Sequence, residues 1–357
     1  MSSLIKKIDW QLAAAVGILI LAGMASLFSS NPDFFYKQLY WIAIAAMTAI
    51  VITFVDLRSF FSHKTVIRGL YLLIVATLIF AFFFAPRIKG NRSWIVIGSF
   101  QFQPSEFAKV ALIIVLAYFF SKAHIGIGRW KIVLTSFFYF AVLGALVAVL
   151  PDMGSAFVLF TLWFGFVLVS GMPFKKVLIS SALFAIAFAV MWMSVLKPYQ
   201  KDRVLGILFP NRDPMGVNYH VIQSKIAVGS GGLFGKGFRQ GSQVQLGFLP
   251  AAQTDFIFAA IAEEGGLIAI IIIISSFGWM MLRILKIGSL IDGNFNKFLC
   301  LGTAILFLAQ FVFNVGSNLG LLPVIGVTFP FVSYGGSSML ANMILVGMIQ
   351  SAWVKRS

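Results

Sequence analysis

Acidic residues are scarce in this chain: 11 Asp and Glu stand against 27 Lys and Arg in 357 residues. Charged residues of both signs make up 11% of the sequence, where an ordinary soluble domain carries about 25%. So few charges cannot coat a water-soluble globule of this size, which excludes the two soluble domains that length alone would suggest. Cysteine is scarcer still. Cys300 is the single one and sits in an apolar run, which leaves no disulfide framework and no cysteine-built zinc site. The three histidines, His63, His124 and His220, are far apart and lack metal-ligand spacing. No small-residue cleavage site is evident after Lys6 and Lys7, which precede an apolar run that reads as a retained first span.

Apolar residues fill the space instead: 60% of the chain is hydrophobic, and 39 residues are phenylalanine. A membrane-spanning helix needs roughly 20 mostly apolar residues. Runs near that length occur at 12–28, 39–55, 67–84, 107–120, 132–150, 156–169, 177–196, 265–285, 298–315 and 339–354. The expected fold is an all-α integral membrane protein of about ten transmembrane helices. It reads as one polytopic membrane domain over 1–357, with a large structured extracytoplasmic loop at 197–255 between the seventh and eighth spans.

Lysine and arginine are retained on the cytoplasmic side of short loops. One alternate set of loops holds Lys6 and Lys7; Arg58, Lys64 and Arg68; Lys122, Arg129 and Lys131. It continues with Lys175 and Lys176; Arg283, Lys286 and Lys297; and Lys355 with Arg356. Turns 29–34 and 151–155 of the opposite set carry none, so both termini are assigned to the cytoplasm. The net charge of +16 is dispersed among the spans, and no nucleic-acid partner is expected.

Two basic groups nevertheless fall outside. One is Arg87, Lys89 and Arg92 with Lys109; the other is Lys197, Lys201, Arg203, Arg212, Lys225, Lys236 and Arg239. Long loops tolerate such charges. The sharper reading is a cationic pocket on the outer face that receives an anionic ligand. Lys109 favours it, because a charge at the entrance of an apolar helix is costly.

Within the long loop, Val217, Val221, Ile222, Ile226 and Val228 recur at near-helical spacing, with Tyr219, Gln223 and Ser224 among them. This predicts an amphipathic helix over 215–228 lying in the interface. The glycine segment that follows, Gly229 to Gly237, imitates a phosphate-binding loop. A Walker motif would need glycine at 230 and Ser or Thr at 237, where Ser230 and Gly237 stand. No preceding strand is evident either, so no nucleotide is expected. Tight backbone turns near lipid headgroups are the remaining use for so much glycine.

Asp255 stands alone at the outer edge of an apolar segment, followed by Phe256 and Ile257. A helix N-cap and a reactive carboxylate are both open readings. Glu263 and Glu264 lie about two turns further in. They read as functional acids or as partners of basic side chains.

Taken together, these segments resemble the SEDS family (shape, elongation, division and sporulation) over essentially the whole chain. The likeness is carried by Gly90-Asn91-Arg92-Ser93-Trp94, by Phe102-Gln103-Pro104-Ser105-Glu106-Phe107-Ala108-Lys109, and by Pro151-Asp152-Met153-Gly154-Ser155. It continues through Gln223-Ser224 to Gly237, Leu249-Pro250, Thr254-Asp255-Phe256-Ile257-Phe258, and Gly320-Leu321-Leu322-Pro323 to Ser333-Tyr334-Gly335-Gly336-Ser337-Ser338. Segments 219–227 and 241–243 are more similar to the elongation branch of the family than to its division branch. One departure is clear: the family usually has His before the Thr-Asp pair and charged residues after Leu-Pro, and here stand Gln253, Ala251 and Ala252.

The resemblance implies a peptidoglycan glycosyltransferase of the bacterial cytoplasmic membrane, polymerising lipid II on the extracytoplasmic side during cell elongation. It implies a class B penicillin-binding protein transpeptidase and other elongation-complex membrane proteins as partners. The implied reaction sends the 4-hydroxyl of one lipid II to the anomeric carbon of a glycan still carried on undecaprenyl pyrophosphate. A sugar hydroxyl is a poor nucleophile at neutral pH, and a carboxylate accepting its proton contributes about 10²–10⁴-fold. Asp255 is the candidate base.

The departing pyrophosphate needs cations rather than a proton donor. Arg92 and Lys109 are first choices, with Arg203 and Lys225 second. Glu106 and Asp152 are candidates to orient these cations or hold a divalent ion, Mg or Mn; no organic cofactor is expected. Gln223, Ser224, Thr254, Glu263 and Ser333 are the supporting candidates. Residues 330–336 read equally as broken helix ends beside a cavity or as close helix packing. A lipid II flippase is the competing function and a partner-binding scaffold the third; confinement of the outer constellation to one face argues against transport.

Overall fold

The computed structural model describes residues 7–55, 60–61, 63–86, 93–98, 100–123, 130–182, 193, 201–202, 205–206, 209, 216 and 218–356. Nine of the ten expected spans appear there as helices: α1 (Trp10–Ser30), α2 (Pro32–Phe54), α3 (Lys64–Phe84), α4 (Pro104–Ala123), α5 (Trp130–Val149), α6 (Met153–Val169), α9 (Ile257–Leu290), α10 (Asn294–Asn318) and α11 (Gly336–Val354). The expected seventh span, 177–196, lies mostly outside the described residues, as do Arg92 and Arg203. Seven of the helices, all but α4 and α6, are long and apolar enough to cross a membrane.

Short polar residues set the helix starts. Asp9 caps α1 through Leu12 N at 2.8 Å. Asn31 alone separates α1 from α2, and its side chain accepts from Asp33 N and Phe34 N while Pro32 opens the new helix. Asp152 caps α6 through Ser155 N at 3.1 Å.

α4 lies at the centre of the bundle, packed against α3, α5, α6, α10 and α11. Its buried residues lie on every side, as a helix apolar all round requires. Before it comes a feature the sequence reading did not anticipate: an antiparallel hairpin of β1 (Ile95–Ile97) and β2 (Phe100–Phe102), with Ile95 opposite Phe102. Its turn uses Gly98 at φ +60°. The amphipathic helix expected at 215–228 is found as α7 (Tyr219–Ser230), and a short helix α8 (Ser242–Gln245) follows it.

Helix ends gather at two opposite sides of the bundle. On the side assigned to the cytoplasm, Asp9 at the start of α1 pairs with Arg283 late in α9. Gln350 of α11 donates to Asp9 O at 2.9 Å, and Ser351 donates to Val55 O at the end of α2 at 2.8 Å. On the opposite side, Gly335 N donates to Gln38 Oε1 of α2 at 3.2 Å.

α9 begins earlier than its expected start at 265 and is broken at Gly266, where φ is +64° and ψ −163°. The glycine segment mends this break. Lys236 N and Gly237 N donate to the carbonyls of Glu263 and Glu264, at 2.9 and 3.1 Å. Leu267 N and Ile268 N donate back to Gly232 O and Leu233 O, at 3.0 and 3.3 Å. Broken helices at membrane depth persist only where the freed backbone groups find such partners. A Cβ at Gly235 would stand 2.1 Å from Glu264 O, and one at Gly231 2.0 Å from Ala262 O. Gly231 and Gly235 are there so that two backbones can touch.

Candidate functional site

Asp255 does not occupy the N-cap of α9. Phe256 holds that position, without a side-chain capping bond, which corrects the capping reading of the carboxylate. The first turn of α9 borrows its cap from another helix: Ala259 N donates to Asn318 Oδ1 of α10 at 3.1 Å.

Three successive carbonyls at this turn are held from outside it. Gln253 O accepts from Tyr334 N at 2.9 Å. Thr254 O accepts from Ser333 Oγ at 2.6 Å, and that hydroxyl also accepts from Phe329 N at 2.9 Å. Asp255 O accepts from Asn318 Nδ2 at 2.8 Å and from Asn314 Nδ2 at 3.1 Å. Asn314 additionally holds Val327 O at 2.9 Å. The backbone around a half-buried Asp255 is therefore fixed from two sides, by residues 333–334 and by the side-chain amides of α10. Burial holds the Tyr334 phenol above its usual range, so it stays protonated at neutral pH.

α7 docks onto the same corner. Ser224, fully buried, donates from Oγ to Asn318 O at 2.8 Å, satisfying a carbonyl at the end of α10. Lys225 is exposed, and its stem lies against bare Gly320, where an added Cβ would stand 2.3 Å from Lys225 Cε. Gln223 is half-buried beside them in sequence.

The start of α4 carries three of the other sequence-predicted candidates or their partners. Lys109 Nζ lies 2.7 Å from Glu106 Oε1, and both residues are buried. Asp152 is spent on structure: Oδ2 accepts from Gln103 Nε2 at 2.9 Å and from Ser105 Oγ at 2.7 Å, while Oδ1 caps α6. Gln103 N donates to Ser337 Oγ at 3.0 Å, and Ser337 donates to Gln101 O at 3.3 Å. Residues 333–337 thus bridge the Asp255 turn and the α4 entrance.

The segment leading into α11 is closely packed. Ideal Cβ atoms at Gly23 and Gly154 would fall 2.2 Å from Val332 O and 2.1 Å from Ile325 O. Close packing is the reading that holds there. No group of three or more His, Cys, Asp or Glu is gathered among the described residues, and both oxygens of Asp152 are engaged; Glu106 pairs with Lys109 through Oε1, while its buried Oε2 has no hydrogen-bond partner.

Glu263 belongs to a separate place. It is fully buried and accepts from Lys236 Nζ at 2.7 Å, Gln243 N at 2.9 Å and Val244 N at 3.2 Å. Its carboxylate sits at the N-terminus of α8 and anchors the outer loop. Glu264 accepts from Ser29 Oγ and, at 3.1 Å, from Gln245 Nε2, tying that loop to α1.

The sequence reading missed Asn314 and Asn318. Two amides one turn apart, near the outer end of an otherwise apolar helix, are the signal that marks them.

Residues 7–357 match a family model described as "Cell cycle protein", the FtsW, RodA and SpoVE group. The chain is similar to the peptidoglycan glycosyltransferase MrdB of Escherichia coli K12, 35% identical over 80% of this chain and 77% of that protein. It is similar also to the probable peptidoglycan glycosyltransferase FtsW of Thiomicrospira cyclica, 31% identical over 97% and 91% of the two chains. Among solved structures, a chain from a peptidoglycan synthase complex superposes with TM-score 0.81 at 31% identity, covering 97% of each chain. The crystal structure of the rod shape determining protein RodA of Thermus thermophilus superposes with TM-score 0.71 at 26% identity, covering 98% of this chain and 97% of that one.

Proposed function

Because the chain belongs to the SEDS family of membrane peptidoglycan glycosyltransferases, we propose that it lengthens glycan strands from lipid II on the outer face of the bacterial cytoplasmic membrane, with Asp255 as general base. The observation that carries this reading is the immobilised turn at 253–255, whose three carbonyls are held by Ser333, Tyr334, Asn314 and Asn318. A base must sit within hydrogen-bond reach of the hydroxyl it deprotonates, and a fixed backbone gives it that precision.

In this scheme the attacking 4-hydroxyl loses its proton to Asp255 as its oxygen bonds to the anomeric carbon. The bond from that carbon to the pyrophosphate oxygen breaks, and undecaprenyl pyrophosphate leaves as an anion. Lys109 is the first cation proposed to meet that charge, with Glu106 fixing its ammonium one turn away. Lys225, on the exposed side of α7, is the second. Arg92 and Arg203 complete the proposed cationic set from sequence. Any Mg or Mn requirement would rest on the substrate's phosphates, since the described carboxylates do not form a cage. A class B penicillin-binding protein and other elongation-complex membrane proteins are the proposed partners, in keeping with the synthase complex among the similar structures.

The test is polymerisation of labelled lipid II by purified protein, alone and with its transpeptidase partner, across divalent ion concentrations. Asp255→Asn and Asp255→Ala should each reduce glycan synthesis by at least about a hundredfold. Near-normal synthesis by either variant, correctly folded, removes Asp255 as the base.

A further inference from the structure

We infer that Asn314 and Asn318 are positioning residues for Asp255: two side-chain amides of α10 that aim the carboxylate by holding its backbone carbonyl. The inference rests on the reading of Asp255 as the base. A carbonyl oxygen has two lone pairs, and at Asp255 each is taken by an amide nitrogen from one face of α10, at 2.8 and 3.1 Å. Fixing that oxygen fixes the peptide plane between Asp255 and Phe256, and with it the direction in which the side chain leaves the backbone. Both bonds end on the main chain, so the two asparagines act through Asp255.

The clamp is itself held. Asn314 and Asn318 are almost fully buried. Asn318 Nδ2 donates back to Asn314 O at 2.8 Å, and Asn318 O is held by Ser224 of α7. Asn318 also performs a separable task, because its Oδ1 caps α9 through Ala259 N. Capping uses the oxygen and aiming uses the nitrogen. Asn318→Asp therefore keeps the cap, which a carboxylate near a helix N-terminus fills well, and removes the donor to Asp255 O. Asn314→Ala removes the other donor.

Because the two amides share one oxygen, either alone retains part of the aim. Each single variant is expected to lower kcat for lipid II polymerisation several-fold. Asn314→Ala/Asn318→Asp is expected to lower it by about a hundredfold, the scale of a 1 Å misplacement of a reacting group. KM should stay within about threefold of the parent, since neither amide is placed on substrate. Should the double variant misfold, the cap-preserving Asn318→Asp decides alone: a several-fold fall in kcat at unchanged KM supports the role. A kcat within twofold of the parent in Asn318→Asp, or a loss expressed wholly in KM, overturns it. Asp255→Asn, assayed alongside, separates the two ideas. An inactive Asp255→Asn with a fully active Asn318→Asp defeats positioning and leaves the base standing, whereas an active Asp255→Asn defeats the base itself.

Discussion

Lys109 Nζ lies 2.7 Å from Glu106 Oε1 within one turn of a helix whose residues are mostly buried. Breaking a buried pair from one side leaves an uncompensated charge and costs about 3–5 kcal/mol, whereas replacing both members is often close to neutral. Glu106→Gln and Lys109→Met should each destabilise the detergent-solubilised protein in denaturant titrations, and the double variant should recover most of that loss. If Lys109 serves the pyrophosphate, the double variant remains inactive although stable. Recovered polymerisation would assign the pair to structure only.

Glu263 makes a second prediction of a different kind. Its carboxylate accepts from Lys236 and from two amides at the start of α8, so Glu263→Ala strands several donors at once. Trypsin should then cut at Lys236 or Arg239 well before it cuts the parent protein. Lys236→Ala should have a milder effect, since the Lys236 side chain is 28% exposed and Glu263 keeps its backbone donors.

The glycine segment separates positions that need glycine from those that do not. Gly235 has φ +79° and a backbone carbonyl 2.1 Å from any Cβ, so Gly235→Ala should destabilise by several kcal/mol, beyond the about 1 kcal/mol of a left-handed residue alone. Gly229, in α7 with nothing within 4 Å of an added Cβ, should accept alanine with unchanged or slightly higher stability. Parallel thermal inactivation of the two variants provides the comparison.

At the end assigned to the cytoplasm, Asp9 is nearly fully buried, caps α1 and receives Arg283 Nε at 2.9 and 2.8 Å. Asp9→Ala should cost about 3–5 kcal/mol in unfolding. It should leave the kcat of surviving enzyme unchanged, because its partners lie at the opposite end of the spans from Asp255.

The spans were legible because lipid accepts only long apolar helices, and charge alternation in their loops is what assigns them a direction. The early start of α9 was legible only in part: the apolar stretch 256–261 suits a helix, but its continuation through two acids does not. Residues 257–264 include Glu263 and Glu264, whose charges look unfit for a helix until Lys236 and Ser29, distant in sequence, are brought against them. The site divides the same way. Asp255 and Lys109 stood out as charges at the edges of apolar segments, whereas Ser224 and Ser333 were marked by the family resemblance. The roles of Asn314 and Asn318 depend on a carbonyl 59 and 63 residues earlier in the chain, a pairing that no local pattern encodes. The N-cap expectation for Asp255 failed because the capping oxygen comes from another helix.

Gly266 divides the longest described helix into two lengths that share one mooring. Outward of it, residues 257–265 are fastened to the glycine loop and to Asn318. Inward of it, Leu267 and Ile268 are fastened to the same loop, and Arg283 further along to Asp9. The loop therefore acts as a splint across the break. A protein gripping that loop from above would shift the aspartate turn and the head of the inner length together, as one body.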